Sequence, residues 1–249
     1  MASARAEWCI VLPVLDEAAA LPGLLAELAI AGLLGRAVFV DNGSADGSDR
    51  LVERAGGFAI REPRRGYGYA CLAGVDVCRQ RGAEVVVFME ADGTDDPRDL
   101  PRLVGPLLAG EVDLMVGSRR QAVRHTGGMP VHQRWGNAIA VACLGAVFGV
   151  HLPDNGPFRA VRADLLAGLV MEPRAYAWTT EMVIKAVRAG ARVEWVETAY
   201  RDRRGESKIA GSLRGTMGAF AGIFGTMLRL KLQPNGRGHG RREVVPPGQ

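Results

Sequence analysis

The run Val85-Val86-Val87-Phe88-Met89-Glu90-Ala91-Asp92-Gly93-Thr94-Asp95-Asp96-Pro97 constrains this chain more than any other stretch. Five apolar residues in succession, three of them β-branched, read as a strand buried on both faces, as in a parallel sheet. The run then stops at four carboxylates within seven residues. Ligands of open α/β sheets sit outside the carboxyl ends of the strands, and alternate residues of a strand point to one side. With strand geometry continued through them, Glu90 and Asp92 present paired oxygen donors at that edge. Such donors suit hard cations such as Mg²⁺ or Mn²⁺, which complete their shells with water and phosphate oxygens. The start of a helix accounts for the neighbouring residues, with Thr94 or Asp95 as cap, Pro97 in the first turn and the acids complementing the dipole. It leaves Glu90 and Asp92 unexplained.

Around this run the first half alternates strand and helix. Trp8 to Leu12 is a strand; residues 17 to 33 carry Leu21, Leu24, Leu25 and Leu28 at helical spacing; Ala37 to Val40 is a strand. Asp46 then caps a helix to about residue 55, Phe58 to Ile60 is a short strand, Tyr67 to Arg81 a helix, Pro97 to Leu108 a helix, and Val112 to Val116 a strand ending in Gly117-Ser118-Arg119. The alternation predicts an α/β fold with a mostly parallel sheet and helices on both faces. A 48% hydrophobic content over 249 residues is ample for its core. Cys9, Cys71, Cys78 and Cys143 lie in apolar segments without metal-ligand spacing, the usage of buried thiols in a reducing compartment. The N-terminus reads as a first strand rather than a signal peptide.

Polar residues follow the strands. Asp41 ends the second, ahead of the turn Asn42-Gly43-Ser44-Ala45-Asp46-Gly47-Ser48; turn and cap chemistry covers Gly43 and Asp46 but not Asp41. Gly66-Tyr67-Gly68-Tyr69-Ala70 looks superficially like a dinucleotide fingerprint, but Cys71 takes its third small position and no ribose-binding acid follows, which argues against a NAD site.

Taken together, Pro13-Val14-Leu15-Asp16-Glu17, the Asp41 to Ser48 turn, Gly66 to Ala70, Glu90-Ala91-Asp92 and Gly117-Ser118-Arg119 resemble the GT-A domain of family 2 inverting glycosyltransferases, most of all the polyprenol-phosphate (dolichol-phosphate) mannosyl- and glucosyltransferase branch. Gly136-Asn137, Asp154 to Arg159, Trp178 to Met182 and Arg203-Arg204-Gly205-Glu206-Ser207-Lys208 extend the likeness, which spans roughly residues 8 to 210. The resemblance implies a Rossmann-like GT-A domain over residues 1–231, with a nucleotide-binding half at 8–119 and an acceptor-binding half at 120–231. It implies an enzyme that moves a hexose from a nucleotide sugar to polyprenyl phosphate, with a glycan or small-molecule hydroxyl as the alternative acceptor and a non-catalytic nucleotide-sugar-binding subunit as the alternative function.

The residue roles implied follow the same motifs. Pro13, Glu17, Asp41, Gly66, Glu90 and Arg119 would hold the nucleotide sugar. Glu90 and Asp92 look like the family's D-x-D, with Glu in place of the first Asp, and Asp92 would ligate Mg²⁺ or Mn²⁺. Asp154 and Glu181 are the acids a hydroxyl acceptor would need as general base, Glu181 being equally readable as a capping-box acid; a phosphate acceptor, already anionic, needs neither. Arg134, Arg159, Arg204 and Lys208 are the expected acceptor-phosphate cations, since Arg forks match phosphate oxygens and Lys adds a mobile charge.

Two apolar stretches bear on location. Asn137 to Val150 and Thr216 to Leu228 are both too short to span a bilayer. The second is flanked by Arg214, Arg229 and Lys231 and carries Phe220, Ile223, Phe224, Met227 and Leu228 as an expected apolar stripe. This favours peripheral attachment at the cytoplasmic membrane face, or contact with a membrane partner subunit. Residues 232–249 read as a disordered basic tail; without interleaved aromatics it does not suggest nucleic-acid binding.

Overall fold

The computed structural model describes residues 7–120, 122, 131–172, 177–203 and 213–233. Seven strands form one sheet: β1 (Trp8–Val14), β2 (Ala37–Asp41), β3 (Phe58–Arg61), β4 (Val85–Phe88), β5 (Leu114–Ser118), β6 (Arg159–Arg162) and β7 (Val193–Glu197), in the order β3-β2-β1-β4-β6-β5-β7. Four of the six pairings are parallel; β6 alone runs against its neighbours β4 and β5. The carboxyl ends of the other six strands therefore share one edge. The sequence announced neither β6, whose four residues contain two arginines, nor β7, where two glutamates stand among apolar residues.

Strand parity explains the layering. On one face Cys9, Val11, Val38, Val40, Val86, Phe88, Leu114, Val116 and Val161 pack beneath α3 (Tyr67–Gln80), α5 (Val131–Phe148), α7 (Trp178–Arg188) and α8 (Leu213–Leu232). On the other, Ile10, Leu12, Val14, Phe39, Val85, Val87, Met115 and Ala160 meet α1 (Leu21–Ile30), α2 (Ser48–Arg54) and α4 (Leu100–Leu108). The short α6 (Ala163–Gly168) follows β6. Each central strand is apolar on both sides because helices cover both. At Gly74 an added Cβ would run into Val11 Cγ1, so α3 lies against β1 at a distance only glycine permits.

Several boundaries differ from expectation. Helix α1 begins at Leu21 rather than 17. Asp46 does not cap α2, whose cap position is the left-handed Gly47; its carboxylate instead accepts from the backbone N–H of Ala18 and from Ser48. Strand β4 stops at Phe88, so Glu90 and Asp92 sit in the turn beyond it and not on continued strand geometry. Neither Thr94 nor Asp95 caps the helical turn at Pro97–Asp99: Asp96 accepts from Arg98 N–H, while Asp95 turns back to accept from Glu90 N–H. The expected tail lies outside the described residues from 234 onward.

Candidate active site

The edge where the six parallel strands end carries three loops bound to one another. After β1, the backbone N–H groups of Asp16 and Glu17 donate to Ser44 Oγ and Ser48 Oγ at 3.0 and 2.9 Å, and Ala45 N–H donates to Asp16 Oδ1. Asp16 adopts a positive φ of 49°, a cost that this network holds in place. After β2, Asp41 is buried and folds over its own turn, accepting from Gly43 and Ser44 N–H. Asn42, which the sequence did not single out, donates to the carbonyls of Glu62 and Arg64 and accepts from Gly66 N–H, fixing the entry to α3. Pro13, Glu17, Asp41 and Gly66 thus belong to one connected wall.

The carboxylates beyond β4 form the second wall. Asp92 is 5% exposed, and its Oδ1 accepts from Thr94 N–H at 3.0 Å and Thr94 Oγ1 at 2.7 Å. Burial, then the charges of Asp92 and Asp95, push the Glu90 carboxyl up to about 8. Burial pushes Asp95 up to about 7, against the hydrogen bond from Glu90 N–H. Tyr67 reaches the same region from α3; its hydroxyl is buried with no hydrogen-bond partner among the described residues, and its pKa is raised by burial, Cys71 and Glu90.

Arg203, which enters after β7, meets both walls. Its Nη2 donates to Glu17 Oε1 at 2.7 Å and its Nη1 to Asp92 Oδ2 at 3.0 Å. Arg201, two residues earlier, spans Glu27 at 2.6 Å and Asp96 at 2.7 Å. The backbone between is anchored too: Thr198 N–H donates to Ser118 O, Ala199 N–H to Asp99 and Arg201 N–H to Thr94 O. Residues 198–203 therefore strap β5, the Thr94 turn and the start of α4 together. Sequence reasoning favoured Arg204 and Lys208, which lie outside the described residues; the Arg201-x-Arg203 spacing was the available signal for the residues the strap uses.

At the end of β5, Arg119 donates to Asp154 through its backbone N–H, Nε and Nη2, and its guanidinium lies 5.6 Å from the Tyr200 ring centroid. Burial alone would raise the Asp154 pKa, but the charge and hydrogen bonds of Arg119 hold the carboxyl below the usual range. Arg159 is wholly buried in β6 and donates to the carbonyls of Thr179 and Gly156 and to Asn155 Oδ1, bracing the loop that carries Asp154; burial lowers its pKa to about 10. Glu181 is also fully buried, and its carboxylate meets Lys185 at 2.6 Å, Arg229 at 3.5 Å and Glu172 N–H. It forms no capping box, since α7 has no side-chain cap. Arg134 is exposed on α5. A cavity of about 560 Å³ lined by Arg120, Val141, Ala142, Ala146, Leu152 and Trp195 opens beside Pro153, the residue next to Asp154.

The donor set fits a hard divalent cation. Carboxylates gather around Asp92, where burial first and then the charges of Asp92 and Asp95 raise the Glu90 pKa, and a cationic guanidinium already sits on Asp92 Oδ2. Among the described residues no three acid, His or Cys side chains converge tightly enough to hold a metal unaided, so phosphate oxygens and water would complete the shell.

Comparison with known proteins agrees with this geometry. The family model described as "Glycosyl transferase family 2" matches residues 9–169. A glycosyltransferase of Mycobacterium tuberculosis is 35% identical over 213 residues, 84% of this chain and 92% of its own. The undecaprenyl-phosphate mannosyltransferase of Micrococcus luteus is 29% identical, over 82% of this chain and 88% of its own. Glucosyl-3-phosphoglycerate synthase of M. tuberculosis, solved with Mn²⁺, UDP and glucosyl-3-phosphoglycerate, shares the fold with a TM-score of 0.71 at 20% identity, over 91% of this chain and 80% of that one. With well over half of its length matched by the family model and a relative of 35% identity along most of both sequences, the chain belongs to glycosyltransferase family 2, and it is a glycosyltransferase on the GT-A fold.

Proposed function

We propose that this glycosyltransferase moves a hexose from a nucleoside-diphosphate sugar to polyprenyl phosphate, working as a peripheral protein at the cytoplasmic membrane face. In this reading Asp41 and the Pro13 to Glu17 loop hold the nucleoside, and Gly66 lets the chain pass close to it. Asp92, with Glu90 beside it, holds Mg²⁺ or Mn²⁺, which neutralises charge developing on the departing diphosphate. Arg203 faces the phosphates from the strap. Arg119 stays with the nucleotide side; Arg134 is the described cation assigned to the acceptor phosphate, together with Arg204 and Lys208 of the following segment, and Arg159 braces the loop behind.

One observation carries the choice of a phosphate acceptor: both carboxylates that a hydroxyl acceptor would need as base are tied up in buried ion pairs, Asp154 with Arg119 and Glu181 with Lys185. An acceptor that is already anionic requires no proton removal. The similarity to undecaprenyl-phosphate mannosyltransferase supports a lipid as its carrier, and the cavity beside Pro153 offers Val141, Leu152 and Trp195 alongside Arg120 and His151. The test is to incubate the protein with UDP-glucose or GDP-mannose, Mg²⁺ or Mn²⁺, and polyprenyl phosphate, and to extract lipid-linked hexose. Hexose on a glycan or on a small hydroxyl compound, with none on the lipid, overturns the acceptor assignment.

A further inference from the structure

Arg203 stands where a metal ion would bring positive charge. Its two Nη atoms bridge Glu17 on the β1 loop and Asp92 on the β4 loop, and its Nε is buried with no hydrogen-bond partner among the described residues. Asp92 Oδ1 is already engaged by Thr94, so Oδ2, the oxygen that Arg203 holds, is the one turned toward an incoming cation. A guanidinium and a divalent cation cannot share that oxygen at close range, because like charges in a desolvated site repel strongly.

We propose that Arg203 is a built-in counter-cation: it occupies Asp92 Oδ2 when metal is absent and competes with the metal for it, so that metal binds well only with a nucleotide. This inference rests on the assignment of Asp92 as metal ligand. The exchange is one of ion pairs, with no bond made or broken. When metal arrives alone, Arg203 must give up one of its two carboxylates and keeps only Glu17 to balance its charge. When metal arrives with a nucleoside diphosphate, the phosphate oxygens offer the fork a new anionic partner. Metal and nucleotide are thereby coupled through one side chain, and a coupling of this kind is reciprocal.

The experiment is Mn²⁺ titration of the purified full chain, followed by electron paramagnetic resonance of free Mn²⁺, without nucleotide and then with saturating UDP or GDP. In wild type, Mn²⁺ alone is expected to bind weakly and to tighten with the nucleotide. In Arg203→Gln, Mn²⁺ alone is expected to bind about tenfold more tightly and the gain from nucleotide to shrink, within the 5–150-fold span of typical couplings. Arg201→Gln removes the same charge from the same strap without touching Asp92, and should leave Mn²⁺ affinity unchanged. Arg203→Lys keeps a charge but loses the two-armed bridge, and should fall between wild type and Gln. A second readout is thermal unfolding of the metal-free protein: Arg203→Gln should melt lower than wild type and regain the difference with Mn²⁺. Unchanged or weaker Mn²⁺ binding in Arg203→Gln overturns the inference, as does an equal gain in Arg201→Gln. If wild type with UDP or GDP takes up no Mn²⁺, or Asp92→Asn takes it up as well as wild type, the metal assignment itself fails.

Discussion

Arg119 closes on Asp154, 35 residues away in sequence, with three donors at 2.9, 2.8 and 3.0 Å. Their side chains are only 15% and 3% exposed. Removing one member of a buried pair strands the other charge, at a cost of about 3–5 kcal/mol. Asp154→Ala should therefore lower stability by that order in urea unfolding, and the Arg119→Met, Asp154→Leu double variant should recover part of it. A loss below about 1 kcal/mol, the range of exposed pairs, would show that the pair is solvated in solution.

Asp92→Asn keeps the hydrogen bonds to Thr94 but removes the charge. Transfer is expected to fall on the order of 10²-fold or more, as when a group that stabilises developing charge is lost, with circular dichroism unchanged. Full turnover at saturating metal would take Asp92 out of the mechanism.

Asp96 gives the fold an acid limit. Burial raises its pKa, but hydrogen bonds from Arg98 and Arg201 outweigh this and hold it at about 2, against an ordinary 3.8. A carboxyl depressed in the folded state contributes stability that is present above its unfolded value and lost as pH falls through the folded one. Unfolding free energy should decline between about pH 4 and pH 2, and Asp96→Asn should be less stable at pH 7 with a shallower decline over that window. A variant with the wild-type slope would assign the acid limit to other groups.

Among its described side chains, helix α8 divides its apolar residues between core and surface. Met227 and Leu230 pack into the core, whereas Phe224, Leu228 and Leu232 are exposed at spacings of four; the Phe220 side chain lies outside the described residues. Arg229, expected to face headgroups, is instead paired with Glu172 and Glu181. No helix among the described residues is long and apolar enough to cross a membrane. Exposed Trp135 and Ile139 on α5 add to the apolar surface. The protein is expected to co-sediment with anionic liposomes at low salt, and Phe224→Ser with Leu228→Ser to weaken this at every salt concentration. Wild type remaining in the supernatant at low salt would make the exposed residues a protein contact.

The sequence by itself determined five of the seven strands and the edge at which their polar residues gather. Runs such as Cys9-Ile10-Val11-Leu12 and Val85 to Phe88 are apolar at every position, a pattern that only a strand covered on both faces can bury. Asp41 ends a strand and Glu90, Asp92 and Arg119 each follow one, so chain direction alone brought them to one edge. What the tertiary structure decided were the pairings between distant segments. No local pattern says that Arg203 reaches Glu17, 186 residues away, that Asp154 is neutralised by Arg119, or that Glu181 turns to Lys185 and Arg229. A charged side chain has no periodicity to read, and its partner is set by how the helices and loops pack around it. Strand β6 was hidden for a related reason: the sequence offered Arg159 as an acceptor-phosphate cation and gave no strand signal, whereas the carbonyls of Gly156 and Thr179 give its guanidinium a place in the core.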